Sequence, residues 1–292
     1  MSYHSRLQKA FEGALRLPLN HDSKYVLFSD CHRGVGNSND NFLKNQPLYT
    51  AALQHYFQTG FTYIELGDGD ELWENRDFTA IIDAHSEVFR LFSRFYNRNR
   101  LYMLWGNHDI VKQKAAYTSQ CLGTYPCCCC SNPSLENKLL FPNMKYYEGI
   151  ILEHNVRNLF LTHGHQADLL GSTLWPLSRF LVRYVWKPLE RYGMKDPTSA
   201  AINYSRKQKT EERLHAFAAQ KDIILIAGHT HRPLLSETDP YYVNCGSCVH
   251  PYSITCLELE HMYIRLVKWK MTADTDMRLY VTKEDMREPV AL

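Results

Sequence analysis

Five times along this chain a short apolar, aromatic or β-branched run stops at a cluster of residues able to hold a metal ion. Tyr25 to Ser29 runs into Asp30-Cys31-His32, and Phe61 to Leu66 into Gly67-Asp68. Leu101 to Leu104 precedes Gly106-Asn107-His108-Asp109, Leu159 to Thr162 precedes His163-Gly164-His165, and Ile223 to Ile226 precedes Gly228-His229-Thr230-His231. These clusters hold six of the 14 histidines. The apolar runs read as buried strands. Sites of open α/β sheets lie outside the carboxyl ends of strands, so five such ends predict a fold that gathers them around one cleft. Imidazole, carboxylate and amide oxygen together suit zinc, manganese or iron better than calcium. Each cluster alone is weak: Asp-x-His is a common strand end and Gly-Asp a common turn. Gly-Asn-His-Asp arises by chance in about one chain in 500 of this length at ~1/20 per residue. Five in this order, each after a strand, do not arise independently.

Between the strands lie helical patterns. Pro47 to Thr59 ends at Gly60, Phe78 to Asn97 carries apolar residues at helical spacing, and Arg206 to Gln220 forms a further helix. This βαβαβ alternation predicts an α/β protein with a largely parallel sheet and covering helices. Tyr241 to Asn244, Ile254 to Glu258 and Tyr263 to Lys268 supply later strands, the last two as a hairpin. Lys112 to Asn143, with Gly, Pro, Asn and Ser, reads as a long loop, and Met1 to Asn20 as a short surface helix. No linker separates two cores, so the 292 residues form one domain with a helical insertion at about 167–204. The charge balance, 33 − 31 = +2, lacks the basic excess of a general nucleic-acid binder. No apolar run reaches the roughly 18 residues of a membrane span, which leaves peripheral membrane contact as the alternative to none. The nine cysteines include the consecutive Cys127 to Cys130, which cannot converge on one tetrahedral ion and read as a reduced loop. The expected location is cytoplasmic.

The ordered set Asp30-x-His32, Gly67-Asp68, Gly106-Asn107-His108-Asp109, His163 and Gly228-His229-x-His231 resembles the calcineurin-like metallophosphoesterase superfamily over Asp30 to His231. The resemblance implies a four-layer α/β/β/α sandwich with a dinuclear site at its strand ends. It implies one divalent ion on Asp30, His32 and His231, a second on Asn107, His163 and His229, and Asp68 bridging them. Manganese is the first expectation, with iron or zinc as alternatives. Such a pair, roughly 3.5–4 Å apart, lowers the pKa of a bridging water and clamps phosphoryl oxygens for in-line displacement. Two carboxylates against four positive charges leave the site attractive to phosphate, and the neutral Asn107 preserves Lewis acidity.

The resemblance implies that His108 stabilises the transferring group or protonates the leaving oxygen. Asp109 is expected to orient that imidazole, to cap the following helix, or both. His163 rather than His165 fills the ligand position, with His165 supporting it. Gly69-Asp70-Glu71-Leu72-Trp73-Glu74 reads as an exposed acidic turn, with Asp70 and Glu71 orienting ligand histidines as the alternative. Cys31 should point away from its neighbours into packing. Arg33 is expected either at a substrate phosphate or on the surface. Leu169 to Trp186 interleaves apolar residues with Arg179 and Arg183, as a packed helix pair or as a cap beside the metals. That cap and Gly-His-Thr-His-Arg-Pro are similar to the UDP-2,3-diacylglucosamine hydrolase branch, which carries arginine where His108 stands, so its substrate does not transfer. The expected function is a metal-dependent phosphoesterase that cleaves phosphate ester or pyrophosphate bonds of a small phosphorylated molecule with a metal-bridging hydroxide. The alternatives are a non-catalytic binding module on the same fold, or a nuclease.

Overall fold

A computed structural model describes residues 1–122, 125–126, 137–138, 140–186 and 204–292. Its strands are β1 (Leu15–Pro18), β2 (Lys24–Phe28), β3 (Thr62–Glu65), β4 (Leu101–Leu104), β5 (Tyr125–Pro126), β6 (Asn137–Lys138), β7 (Tyr146–Tyr147), β8 (Gly149–Glu153) and β9 (Leu159–Thr162). They continue as β10 (Ile224–Ala227), β11 (Tyr242–Asn244), β12 (Ser253–Glu260), β13 (Tyr263–Ala273), β14 (Leu279–Asp285) and β15 (Val290–Ala291). The helices are α1 (Tyr3–Glu12), α2 (Gln46–Gln58), α3 (Phe78–Ala84), α4 (Ser86–Tyr96), α5 (Ala115–Leu122), α6 (Leu169–Ser172), α7 (Trp175–Leu181) and α8 (Tyr204–Lys221).

The strands form two large sheets, ordered β14-β13-β12-β2-β3-β4-β7 and β1-β8-β9-β10-β11. Strands β2, β3 and β4 are mutually parallel, as are β9, β10 and β11. Their side chains alternate between two apolar environments, which is why the sequence shows unbroken apolar runs there. Val26 and Phe28 of β2 face the core beneath α2 and α4, with Tyr49, Tyr56, Phe92 and Phe95. Tyr25 and Leu27 face the second sheet, meeting Leu159, Leu161, Ile224 and Ile226. Phe160 and Leu225 turn outward to a third core with Leu7 of α1 and Leu214 and Phe217 of α8. Three cores between four layers make the α/β/β/α sandwich that the family resemblance implies.

Several expectations change. The Phe78 to Asn97 pattern is two helices interrupted at His85, whose ring bonds Asp40 at 2.9 Å and Gln46 at 2.7 Å. The expected Lys112 to Asn143 loop contains α5, on which Thr118 and Leu122 are buried. Within Met1 to Asn20, helix α1 buries Leu7 and Ala10, and the chain continues as β1, parallel to β8. The short apolar alternation of β1 is indistinguishable by periodicity from the end of a helix. Strand β14 also lacks an apolar pattern, because it is largely exposed. Cys127 to Cys130 lie outside the described residues, where Cys31, Cys121, Cys245, Cys248 and Cys256 are free thiols. No described helix is long and apolar enough to cross a membrane.

Candidate metal centre

The turns after β2, β3 and β10 bring the predicted ligands inward by an unusual backbone route. Asp30, His32, Asp68, His229 and His231 all have positive φ, between 49° and 64°. A non-glycine residue there is uncommon, and such conformations concentrate at functional sites. In Asp30-Cys31-His32 the two left-handed residues project toward the cleft, while Cys31 is buried in the helix-side core as expected. Two glycines admit the carboxylates. A Cβ on Gly106 would lie 2.2 Å from Asp68 Oδ1, and one on Gly228 would lie 2.3 Å from Asp30 Oδ2.

Both carboxylates are fully buried and each anchors one oxygen. Asp30 Oδ2 accepts from the His229 amide at 2.9 Å and from Ser29 Oγ at 2.5 Å. Asp68 Oδ1 accepts from the His108 amide at 2.7 Å. Their other oxygens face histidines. Asp30 Oδ1 lies 3.1 Å from His231 Nε2 and 3.8 Å from His32 Nε2. Asp68 Oδ2 lies 3.1 Å from His163 Nε2 and 3.9 Å from His32 Nε2, and so stands between two groups. Asp30, His32 and His231 form one, and Asp68, His163 and His229 the other, with donor atoms within 4.8 Å of one another in each.

These donors fit divalent cations. Asp30 Oδ1, His32 Nε2, Asn107 Oδ1 and His163 Nε2 are buried without a hydrogen-bond partner. Buried polar atoms are nearly always paired, and four orphans of metal-ligand type, three of them in the two groups above, match a site built for cations. The charge pattern agrees. Burial opposes charge on His163, yet the Asp68 carboxylate outweighs it and lifts the imidazole to about 9. Burial likewise works against charge on His32, and the neighbouring Asp30 carboxylate and the bond to Glu71 raise it well above the usual range. The carboxylates therefore call for positive charge, which protons or metal ions can supply.

Surrounding groups fix the ring orientations. His163 donates Nδ1–H to the Leu66 carbonyl at 3.0 Å, which leaves the Nε2 lone pair facing Asp68. Glu71 accepts from Nδ1 of both His32 and His108 at 2.8 Å. The Trp73 indole stacks on the His108 ring at 4.0 Å and 21°. His165 is buried beside the cluster, its ring 5.5 Å from that of His163 and its Nδ1 unpartnered. Burial and the neighbouring His163 and His229 hold it well below the usual imidazole range.

Four expectations are corrected. Asp109 does not touch His108: its oxygens accept from the Gly106 amide at 2.7 Å, the Gly69 amide at 3.2 Å and Lys112 Nζ at 2.7 Å. Nor does its side chain cap the following turn. Asp70 and Glu71 are not an exposed acidic turn, since both are buried. Arg33 is neither at the surface nor in the cleft. Its guanidinium is completely buried, pairing with Glu65 at 2.8 and 3.0 Å and with Asp70 Oδ1 at 2.7 Å. Lys112, which sequence reasoning passed over, bonds Asp70 and Asp109 in the same network. Although burial disfavours its charge, Arg33 and Lys112 hold Asp70 down at about 2. Glu71, Trp73 and Lys112 lie within a few residues of the motifs, and nothing in their spacing distinguishes a buried partner from a solvated charge.

Arg33→Met is expected to destabilise the protein by about 3–5 kcal/mol in urea unfolding, because Glu65 and Asp70 are left buried without their partner. Unchanged stability with only a raised KM would restore Arg33 as a substrate contact. Gly106→Ala is expected to displace Asp68 and abolish stoichiometric metal uptake while circular dichroism stays native.

A search of curated proteins finds no match to the chain. Among solved structures it is similar to the phosphoesterase YfcE of E. coli (16% identity, 90% of this chain and 100% of that chain, TM-score 0.39). It is also similar to vacuolar protein sorting 29 of Cryptosporidium parvum (14% identity, 92% and 100%, TM-score 0.39). The sequence profile of the calcineurin-like phosphoesterases matches residues 23–233, which include all five ligand runs and most of the chain. The chain belongs to the calcineurin-like phosphoesterase family.

Proposed function

We propose that this protein hydrolyses phosphate ester or pyrophosphate bonds of a small phosphorylated molecule, using two divalent cations. The carrying observation is the set of four buried, unpartnered donor atoms on Asp30, His32, Asn107 and His163 around Asp68. In this reading Asp30, His32 and His231 hold one ion, Asn107, His163 and His229 the other, and Asp68 both. When bound, such a pair supplies Lewis acidity that lowers the pKa of a water and polarises phosphoryl oxygens. Manganese leads among the metals, and the same donors accept iron or zinc.

The chain's own residues supply orientation and proton handling. Glu71 accepts from His108 Nδ1, so Nε2 is the nitrogen left to hold a proton for the leaving oxygen. The His108 side chain keeps 22% of its surface exposed, unlike the fully buried Asp30 and His163, which leaves it open to a substrate. Trp73 stacked on one face of the ring restricts its rotation. Because Glu71 also holds His32, one carboxylate sets the proton donor and a ligand histidine in register. The insertion approaches the same point. Arg183 donates to the Trp73 carbonyl at 2.7 Å and to the Leu72 carbonyl at 2.9 Å, which supports a cap beside the cleft.

The direct test measures hydrolysis of p-nitrophenyl phosphate and bis(p-nitrophenyl) phosphate with added Mn²⁺, alongside metal content. Turnover is expected with metal and none after chelation. Loaded protein that cleaves neither ester nor a panel of phosphorylated metabolites would point to the binding module instead. His108→Ala is expected to keep both ions and lose about 10²- to 10⁴-fold in kcat. Asp68→Asn is expected to lower metal occupancy itself. Glu71→Gln is expected to retain the ions and fall between wild type and His108→Ala in kcat. A His108→Ala enzyme with full kcat would remove its assignment as proton donor.

A further inference from the structure

Asp168 follows the His163 motif closely, yet no motif marks it. It is buried, with 4% of its surface exposed, and its carboxylate joins three parts of the molecule. Oδ2 accepts from Nε2 of His229 at 3.2 Å. The carboxylate also caps α6, where the insertion begins, by accepting from the Leu170 amide at 3.3 Å and the Gly171 amide at 3.2 Å. From α8, where the described chain resumes after the insertion, Arg206 Nε donates to Oδ1 at 3.0 Å and its terminal nitrogen bonds Oδ2. The packing leaves little slack: a Cβ on Gly171 would meet Asp168 Oδ2 at 3.1 Å and His229 Cε1 at 3.4 Å.

We propose that Asp168 is a positioning residue for the cation site of Asp68, His163 and His229, and that it couples loading of that site to the order of α6. The inference rests on the metal-dependent reading above. An Nε2–H donated to a carboxylate assigns the His229 lone pair to Nδ1 and fixes the ring plane, as carboxylate–histidine pairs do at metal centres. The Asp68–His163 side of the centre is thereby braced from the insertion, whereas His32 is braced by Glu71 from the β3 turn. One carboxylate holds both the His229 ring and the α6 amides, so a cation that strengthens the His229 contact and thereby steadies α6 is in turn bound more tightly, by the same factor, when α6 is ordered.

The test uses the full chain with Mn²⁺ alone as probe, in equilibrium dialysis with metal analysis. Wild type is expected to bind two ions. Asp168→Ala is expected to bind one of them about 10- to 100-fold more weakly and the other unchanged. Asp168→Asn keeps an acceptor for the α6 amides but loses the charge, and is expected to show the same selective weakening with native thermal unfolding. Hydrogen exchange of residues 169–172 is expected to slow on Mn²⁺ addition in wild type and not in Asp168→Ala. A wild-type chain that takes up no Mn²⁺ overturns the dinuclear reading itself. Two ions bound at unchanged affinity by both variants overturn the role of Asp168 alone. Equal weakening of both ions in Asp168→Asn would show a general structural effect and overturn it too.

Discussion

Everything at the centre depends on two buried carboxylates that each use one oxygen on the backbone and turn the other toward the histidines. Asp30 Oδ2 takes the amide of His229, so the end of β2 in one sheet is tied to the end of β10 in the other. Asp68 Oδ1 takes the amide of His108, tying the β3 turn to the β4 turn. An unpaired buried carboxylate is too costly to persist, so this arrangement requires either protonated histidines or cations in the cleft. The same two contacts that join the sheets therefore create the demand for positive charge. The left-handed backbone at both aspartates and at His32, His229 and His231 is the strain that this geometry imposes.

Beneath the cleft a second charged layer holds the turns in register. Arg33, Glu65, Asp70, Lys112 and Asp109 are all buried, and their side chains link the β2, β3 and β4 turns, adding to the backbone bridge between Arg33 and Asp70. Asp109 adds backbone contacts to Gly69 and Gly106, on either side of Asp68. Such a network adds little net stability over a well-packed apolar one, but each member is essential to the others, because removing one leaves an opposite charge unpaired. Its position explains why charged residues crowd the motifs without facing solvent. Tyr63 extends it, donating to Glu65 at 3.1 Å and bonding Tyr49 of α2.

Among the described residues, the segment from Asp168 to Trp186 meets the centre at two points of different character. Arg183 holds backbone carbonyls of the loop that carries Glu71 and Trp73, beside His108. Asp168 holds the His229 ring at the start of that segment. Between these contacts α7 buries none of its residues, and Leu177 and Phe180 stay exposed. Among the described residues this segment is thus fastened at polar points, with Val182 its buried apolar contact.

The sequence by itself determined the layers and the candidate ligands. Apolar runs at β2, β3, β4, β9 and β10 are long enough to show burial on both faces, and a strand that ends at Asp, Asn or His announces its chemistry by residue type. Asp30, His32, Asp68, Asn107, His163, His229 and His231 are legible as candidates for that reason; the structure groups Asp30 with His32 and His231, and Asp68 with His163 and His229, and buries Asn107 Oδ1 without a partner. Only the tertiary structure decided which of the neighbouring charges serve them. Asp109 was placed on His108 by adjacency, but the β4 turn points its carboxylate at Gly106 and Gly69, and Glu71 reaches His108 from another turn. Arg33, following His32, reads as a phosphate contact or a surface residue, yet the chain buries it against Glu65 and Asp70. Asp168 carried no signal at all. Residue type and spacing report what a side chain can bind, whereas its partner depends on how separate turns approach one another, and that follows from packing of the whole sandwich.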